Sequence, residues 1–244
     1  MFPYKDDNPT LRTPIATFVL IGLNFAVWIL IQGIGTEPIL SASVCRLGLI
    51  PGELLGRLPS GTVIPSAAVR CVTGPPEWFT PFTSMFLHGG WLHILGNMWF
   101  LWVFGNNVED SMGRIRFVLF YLACGLVAAA AQTLINPASA IPMVGASGAI
   151  SGVMGAYIVL YPRVKVHMLI FLGIFITTIT VPAIFMLGYW FLLQLLGGLP
   201  ALAKESGGVA FWAHTGGFLA GMALILLFRN PNLIRARVAQ QLPG

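Results

Sequence analysis

Two short motifs place a serine and a histidine in separate apolar stretches of the chain. Ser147 lies in the run Gly145-Ala146-Ser147-Gly148, near the start of an apolar segment that covers residues 143–160. His214 follows Ala213 at the start of a second apolar segment. A serine hydroxyl is a poor nucleophile at neutral pH and needs a neighbouring base such as an imidazole. The two motifs therefore predict nucleophilic chemistry within a membrane.

Neither residue is strong evidence alone, because serine and histidine can also serve only as packing or hydrogen-bonding residues between membrane helices. The pair is stronger, because alternating crossings put Ser147 and His214 at a similar depth below the outer surface. A triad would need an acid behind the histidine. The sequence predicts a dyad, because no acidic residue lies well inside an apolar segment: Asp6, Asp7, Glu37, Glu53, Glu77, Glu109, Asp110 and Glu205.

The composition excludes an ordinary soluble domain. Of the 244 residues, 57% are hydrophobic and only 9% are charged, against about 25% charged in a typical soluble domain. The net charge of +5 arises from basic residues that form no run or stripe, so we expect no nucleic-acid partner. We expect the lipid bilayer to be the main environment of the chain.

Six apolar segments predict an all-α, polytopic membrane bundle of six transmembrane helices in a single domain, residues 1–244. Residues 166–199 are continuously apolar but are divided by Pro182, so residues 166–178 are interpreted as a short connecting or interfacial stretch. A seventh crossing there would use about 13 residues, which is short for a bilayer. The six predicted spans are approximately 14–34, 83–105, 115–136, 143–161, 179–199 and 209–228.

The distribution of basic residues predicts the orientation of the bundle. With the N-terminus inside, the positive-inside rule is satisfied and both termini are cytoplasmic. Residues 1–13 are then a cytoplasmic segment, 229–244 a cytoplasmic tail, and 35–82 a long outer loop suited to the membrane interface. Inner segments hold Lys5, Arg12, Arg114, Arg116, Arg163, Lys165, Arg229, Arg235 and Arg237, and outer loops hold Arg46, Arg57, Arg70 and Lys204.

Other polar residues suggest how a reacting carbonyl would be held. His93 and Asn97 are four apart on one face of the second predicted span, and the amide of Ser147 lies near a helix N-terminus. All three can donate hydrogen bonds to a developing oxyanion. His88 and His93 lack a nearby carboxylate or thiol, so they are a poor zinc site. We therefore predict neither a metal nor a cofactor.

Three motifs resemble those of the rhomboid intramembrane serine proteases. The segment from His88 to Asn97 resembles their H-x4-H-x3-N motif, Gly145 to Gly148 resembles G-x-S-G, and Ala213 to Gly221 resembles A-H-x2-G-x3-G. The resemblance extends in order from Trp78 to Phe228. Each motif alone is weak, but their order and spacing together are specific.

The resemblance implies a serine endopeptidase that cleaves transmembrane substrates near the outer membrane boundary. It implies that Ser147 is the nucleophile, His214 is the general base, and His93, Asn97 and the Ser147 amide form the oxyanion hole. It also implies that His88 orders the outer loop, and that the fifth span gates lateral substrate access. The glycines Gly145, Gly148, Gly217 and Gly221 would be structural; packing alone accounts for them, but not for His214 on the same face.

Two departures from the family pattern leave questions open. Some bacterial members have a tyrosine four residues after the nucleophile that stacks on the base, but Ser151 stands there. Another aromatic residue or simple helix packing must therefore orient His214. The outer loop also lacks the Trp-Arg pair of many members; Trp78-Phe79 stands near its place.

The remaining expectations concern partners and alternatives. We expect single-span membrane proteins as substrates and a bacterial inner membrane as the location; the natural substrate and oligomeric state are not predictable. The alternative functions are a catalytically inactive rhomboid-like protein that escorts membrane clients, and a small transporter or channel. Cys45 and Cys71 either form a disulfide or pack as two unpaired residues.

Overall fold

The computed structural model describes residues 2–64, 68–172, 175–200 and 209–241, and the predicted outer-loop cation Lys204 lies outside them. Short 3-10 turns cover Gly33–Gly35 and Ser84–Phe86. The other elements, in chain order, are β1 (Phe2–Asp6), α1 (Ile15–Leu30), α2 (Ile39–Leu47), α3 (Pro51–Leu54), β2 (Val63–Ile64), β3 (Cys71–Val72), α4 (Thr80–Thr83), α5 (Trp91–Met112), α6 (Arg114–Ile135), α7 (Ser147–Leu160), β4 (Lys165–Leu172), β5 (Phe175–Pro182), α8 (Ala183–Gly198), α9 (Phe211–Phe228) and α10 (Pro231–Gln241).

Each predicted apolar segment contains one long helix, but the second is displaced along the chain. The prediction was 83–105, whereas α5 begins at Trp91 and ends at Met112. Gly90, in an extended conformation, precedes the first helical residue. The helix continues through Glu109 and Asp110 because both carboxylates are buried with hydrogen-bond partners.

Among the described residues, two helices are long and apolar enough to cross a membrane by length and composition. They are α6 and α9. The helices α1, α7 and α8 are apolar but shorter. The described residues are mostly helical. The arrangement of six spans is a proposal.

The prediction of an all-α fold was wrong at residues 166–178. Strands β4 and β5 form an antiparallel hairpin over most of this stretch, and β1 pairs with β4 to complete a three-stranded sheet. The run from Phe175 to Val181 is rich in isoleucine and threonine, and β-branched side chains favour strands. The sheet follows the end of α7 that is remote from Ser147. A two-stranded ladder of β2 and β3 lies in the predicted outer loop.

The carboxylates at the end of α5 organise this remote end of the bundle. Glu109 accepts hydrogen bonds from the backbone amides of Ala16 and Thr17 and from the Thr17 hydroxyl. Asp110 accepts a hydrogen bond from the Leu11 amide. An anionic group is favourable at the N-terminus of α1, where the amides have no partner within the helix. These contacts join the N-terminal segment to α5.

Glycines allow α7 and α9 to approach each other backbone to backbone. A methyl group at Gly221 would lie 2.6 Å from the Cα of Gly152 and even closer to its carbonyl oxygen. A methyl group at Gly217 would likewise collide with the Gly148 carbonyl. On α6, Ala128 packs as closely on α7, because a methyl group at Gly148 would lie 2.6 Å from Ala128 Cβ. This close packing fixes the relative position of the two helices that carry Ser147 and His214.

The outer loop packs against the segment that leads into α7. Leu49 and Met143 exchange two backbone hydrogen bonds of 3.0 and 2.7 Å, and the Gly52 amide donates to the Ser139 carbonyl. Cys45 and Cys71 form a disulfide that joins α2 to β3. The loop therefore acts as a support for the residues that precede Ser147.

The disulfide leads to a direct prediction about free thiols. The chain has three cysteines, and Cys124 is buried as a free thiol in α6. Thiol counting on denatured, unreduced protein should give one free thiol, and three would contradict the bridge.

Cys71→Ala should lower the free energy of unfolding by about 3–4 kcal/mol, as expected for a loop of this length.

Candidate active site

Ser147 and His214 lie within hydrogen-bond distance. Ser147 Oγ is 2.8 Å from His214 Nε2 although the residues are 67 positions apart. Ser147 is the first residue of α7 and His214 lies in the first turn of α9. A histidine within reach of a serine hydroxyl can accept its proton.

The backbone before Ser147 requires a glycine at position 145. Gly145 has a φ of +128°, a conformation that residues with a side chain rarely adopt. A methyl group there would also lie 2.8 Å from His93 Nε2. The Gly145 amide donates to the Ser84 carbonyl at 2.9 Å, which holds this turn beside His93.

The two predicted side-chain donors for an oxyanion face the same cavity as Ser147. The Gly89 amide donates to His93 Nδ1 at 3.3 Å. A neutral imidazole that accepts at Nδ1 carries its proton on Nε2, so His93 presents an N–H donor beside Gly145. Asn97 Nδ2 is buried and has no partner among the described residues. An unpaired buried donor is costly, which suits a group that binds a ligand.

His88 packs against His93 and is not among the residues that line the cavity with Ser147. Its side chain is fully buried, and its ring packs edge-on against the His93 ring with centroids 5.1 Å apart. Its backbone amide and carbonyl both bond to the Gln32 side chain at 2.8 Å. Gln32 thus connects the end of α1 to the loop that precedes α5.

Two residues that sequence reasoning missed contact the histidine from α8. Gln194 Oε1 is 2.8 Å from His214 Nδ1, and the Trp190 ring lies 5.9 Å from the imidazole, centroid to centroid. Ser151, where some relatives have tyrosine, instead donates its hydroxyl to the Ser147 carbonyl at 2.6 Å. Trp190 is therefore the aromatic residue that packs beside His214 in the absence of a tyrosine at position 151. The available signal was Gln194 itself, a polar side chain within an apolar helix.

Four of the predicted site residues, Ser147, His214, His93 and Asn97, line a cavity of about 520 Å³. Its polar lining also includes Gln132, and its apolar lining includes residues of α5, α7 and α8 and of the segments that lead into α7 and α9. A cavity of this size with a few converging polar groups is typical of a ligand or substrate site. Among the described residues, no cluster of potential metal ligands is found.

Comparison with known proteins decides the family. The family model of the rhomboid domain matches residues 75–231, which is more than half of the chain. The chain belongs to the rhomboid family. The predicted resemblance over Trp78–Phe228 is thereby confirmed, and membership makes this rhomboid an integral membrane protein.

Several curated relatives of this rhomboid cover different parts of it. Rhomboid protease GluP of Bacillus subtilis is 35% identical over 150 residues, which are 61% of this chain and 26% of GluP. Rhomboid-type serine protease 2 of Emericella nidulans is 28% identical over 187 residues, 71% of this chain and 32% of that protein. Rhomboid-like protein 11, chloroplastic, of Arabidopsis thaliana is 39% identical over 77 residues, 32% of this chain and 27% of that protein. The chain thus spans about a quarter to a third of the length of these relatives.

Proposed function

We propose that this rhomboid is an intramembrane serine endopeptidase that cleaves single-span membrane proteins near the outer membrane boundary. The observation that carries the proposal is the 2.8 Å contact between Ser147 Oγ and His214 Nε2 at the cavity wall. The protease names of two relatives support the same activity. An inactive escort protein or a transporter would have no use for this contact.

In the first step, Ser147 attacks the substrate carbonyl carbon. Its hydroxyl donates to the unprotonated Nε2 of His214, so the proton moves to the imidazole as the Oγ–C bond forms. The resulting imidazolium then gives that proton to the departing amine as the peptide C–N bond breaks. An acyl-enzyme on Ser147 remains.

The carbonyl oxygen gains negative charge during this attack. Three donors surround that position in our proposal: His93 Nε2–H, Asn97 Nδ2–H and the Ser147 amide, which begins α7 and has no partner within that helix. Donors aimed at developing charge stabilise the transition state more than the substrate. In the second half-reaction, a water molecule gives a proton to His214 as its oxygen attacks the acyl carbon. The imidazolium then returns that proton to Ser147 Oγ as the Oγ–C bond breaks and the carboxylic acid leaves.

The membrane arrangement follows from the same proposal. Six spans, with both termini cytoplasmic, put Ser147 and the cavity on the outer side of a bacterial inner membrane. A cavity walled by protein reconciles hydrolysis with a lipid environment. Substrates must locally unwind before cleavage, so small or helix-breaking residues are expected near the cleaved bond.

Asn97→Ala should lower kcat with little effect on KM. An oxyanion donor acts mainly in the transition state, and the loss of one donor costs about 10²- to 10³-fold at most. The remaining donors reduce that loss. Asn106→Ala is the matched control. Asn106 lies on the same helix as Asn97, towards the end remote from the cavity, and its side chain donates a hydrogen bond to the Thr10 hydroxyl. Equal rates for Asn97→Ala and wild type would remove Asn97 from the site.

The proposed activity is tested with a panel of single-span proteins in liposomes. Mass spectrometry of the products should locate cuts near the outer boundary of the substrate span, and a metal chelator should not alter their yield. The Ser147→Ala protein is the control for contaminating proteases. Products of equal yield from the wild type and the variant, or no product from the wild type, would contradict the proposal.

A further inference from the structure

We propose that Gln194 is a positioning residue that fixes the orientation and tautomer of His214, and so takes the place of the acid in a triad. The inference rests on the proposed function. It arises from the contact between Gln194 Oε1 and His214 Nδ1 at 2.8 Å, on the side of the imidazole opposite to Ser147.

The chemistry of the amide oxygen sets the tautomer. A carboxamide oxygen can only accept a hydrogen bond, so Nδ1 of His214 carries a proton and its N–H donates a hydrogen bond to Gln194 Oε1. In the neutral ring, Nε2 then has the free lone pair and faces Ser147 Oγ. The opposite tautomer would leave Nε2–H pointing at the serine and could not remove its proton. Gln194 therefore selects the reactive form of the base.

Gln194 also becomes more important when the base is charged. The imidazolium formed during attack keeps its Nδ1–H directed at the Gln194 oxygen, and hydrogen bonds to charged groups are stronger than neutral ones. The interaction thus strengthens in the transition state, which is the condition for a faster chemical step. Among the described residues that line the cavity, His93 and His214 are the titratable side chains, so none of these residues offers a carboxylate for this role.

Helix α8 holds Gln194 in place through contacts with α9. Trp190, one turn before Gln194, packs beside the His214 ring and against Phe218, and Phe191 stacks on Phe218 at 4.7 Å. At the far end of α8, Trp212 Nε1 donates to the Gly198 carbonyl. These contacts on both sides of Gln194 fix its distance from His214. Ser147, His214 and Gln194 come from three different helices, α7, α9 and α8.

The test compares Gln194→Met, which keeps side-chain length but loses the acceptor, with Gln194→Glu, which keeps an acceptor and adds charge. Leu193→Met is the matched control, because Leu193 is an exposed neighbour on the same helix. Readouts are kcat and KM for a cleaved substrate, and the rate at which a small fluorophosphonate labels Ser147. The small reagent reports activation of the serine independently of access for a large substrate.

We expect Gln194→Met to lower both kcat and the labelling rate by about 10- to 100-fold, the value of one hydrogen bond to a charged group, with KM nearly unchanged. Gln194→Glu should keep kcat and the labelling rate well above those of Gln194→Met, because the acceptor remains. The acidic limb of its pH profile should move to higher pH than in wild type, because a carboxylate stabilises the imidazolium. Leu193→Met should behave as wild type. Labelling of Gln194→Met at the wild-type rate, or an unmoved acidic limb in Gln194→Glu, would overturn this inference alone. A wild type that neither cleaves nor labels would overturn the proposed function with it.

Discussion

Ser147→Ala and His214→Ala should each reduce proteolysis by on the order of 10⁴-fold or more, and the double variant should lose no more than either single variant. The two side chains act as one unit through the contact between Oγ and Nε2. Removal of either leaves the same residual catalysis from the oxyanion donors and substrate binding. The measurement is the initial rate of cleavage of one substrate by the three purified proteins.

Matched controls separate chemistry from folding in this experiment. Ser111→Ala removes a serine hydroxyl that bonds only to its own helix, and His167→Ala removes a histidine in the sheet remote from the cavity. Both should cleave at close to the wild-type rate. If the double variant were far slower than either single variant, the two side chains would act independently, which would contradict a shared role.

Gly221→Ala should reduce activity by about 100-fold or more and lower the free energy of unfolding by about 1–3 kcal/mol. The added methyl group would overlap the backbone of Gly152, which cannot rotate away as a side chain can. Helices α7 and α9 must then separate, and an overpacked interface typically costs this much stability. A displacement of about 1 Å between reacting groups can cost about 10²-fold in rate.

A second glycine provides the control for this substitution. Gly22 lies within α1, and a methyl group there meets no atom within 4 Å. Gly22→Ala should keep full activity and melt at the same or a higher temperature, because alanine favours helices over glycine. If Gly221→Ala kept wild-type activity and melting temperature, the close crossing of α7 and α9 would not be needed for the site.

Much of the helical framework could be predicted because its signals are local. Long apolar runs identify helices, and each predicted segment contains one. The start of α5 was wrong because the apolar run continues across Gly89 and Gly90, where the backbone is not helical. Strand β1 was missed because it pairs with β4 across some 160 positions, and no local pattern in Phe2–Asp6 indicates such a partner.

The chemical residues were easier to predict than the groups that support them. Ser147, His214, His93 and Asn97 stand in motifs with fixed spacing, and the structure brings all four to one cavity. Gln194 has no motif, and its contact with His214 depends on how α8 packs against α9. The Cys45–Cys71 disulfide was left open for a similar reason, since spacing alone does not determine whether two sulfur atoms meet.

The role of Ser147 as a nucleophile activated by His214 is tested by locating a covalent adduct. Purified protein is treated with a fluorophosphonate and analysed by intact mass and by peptide mapping. We expect one adduct, on Ser147, with proteolysis lost in proportion to labelling and no adduct formed by His214→Ala. An adduct on another residue, or full proteolysis by protein that is completely labelled at Ser147, would contradict it.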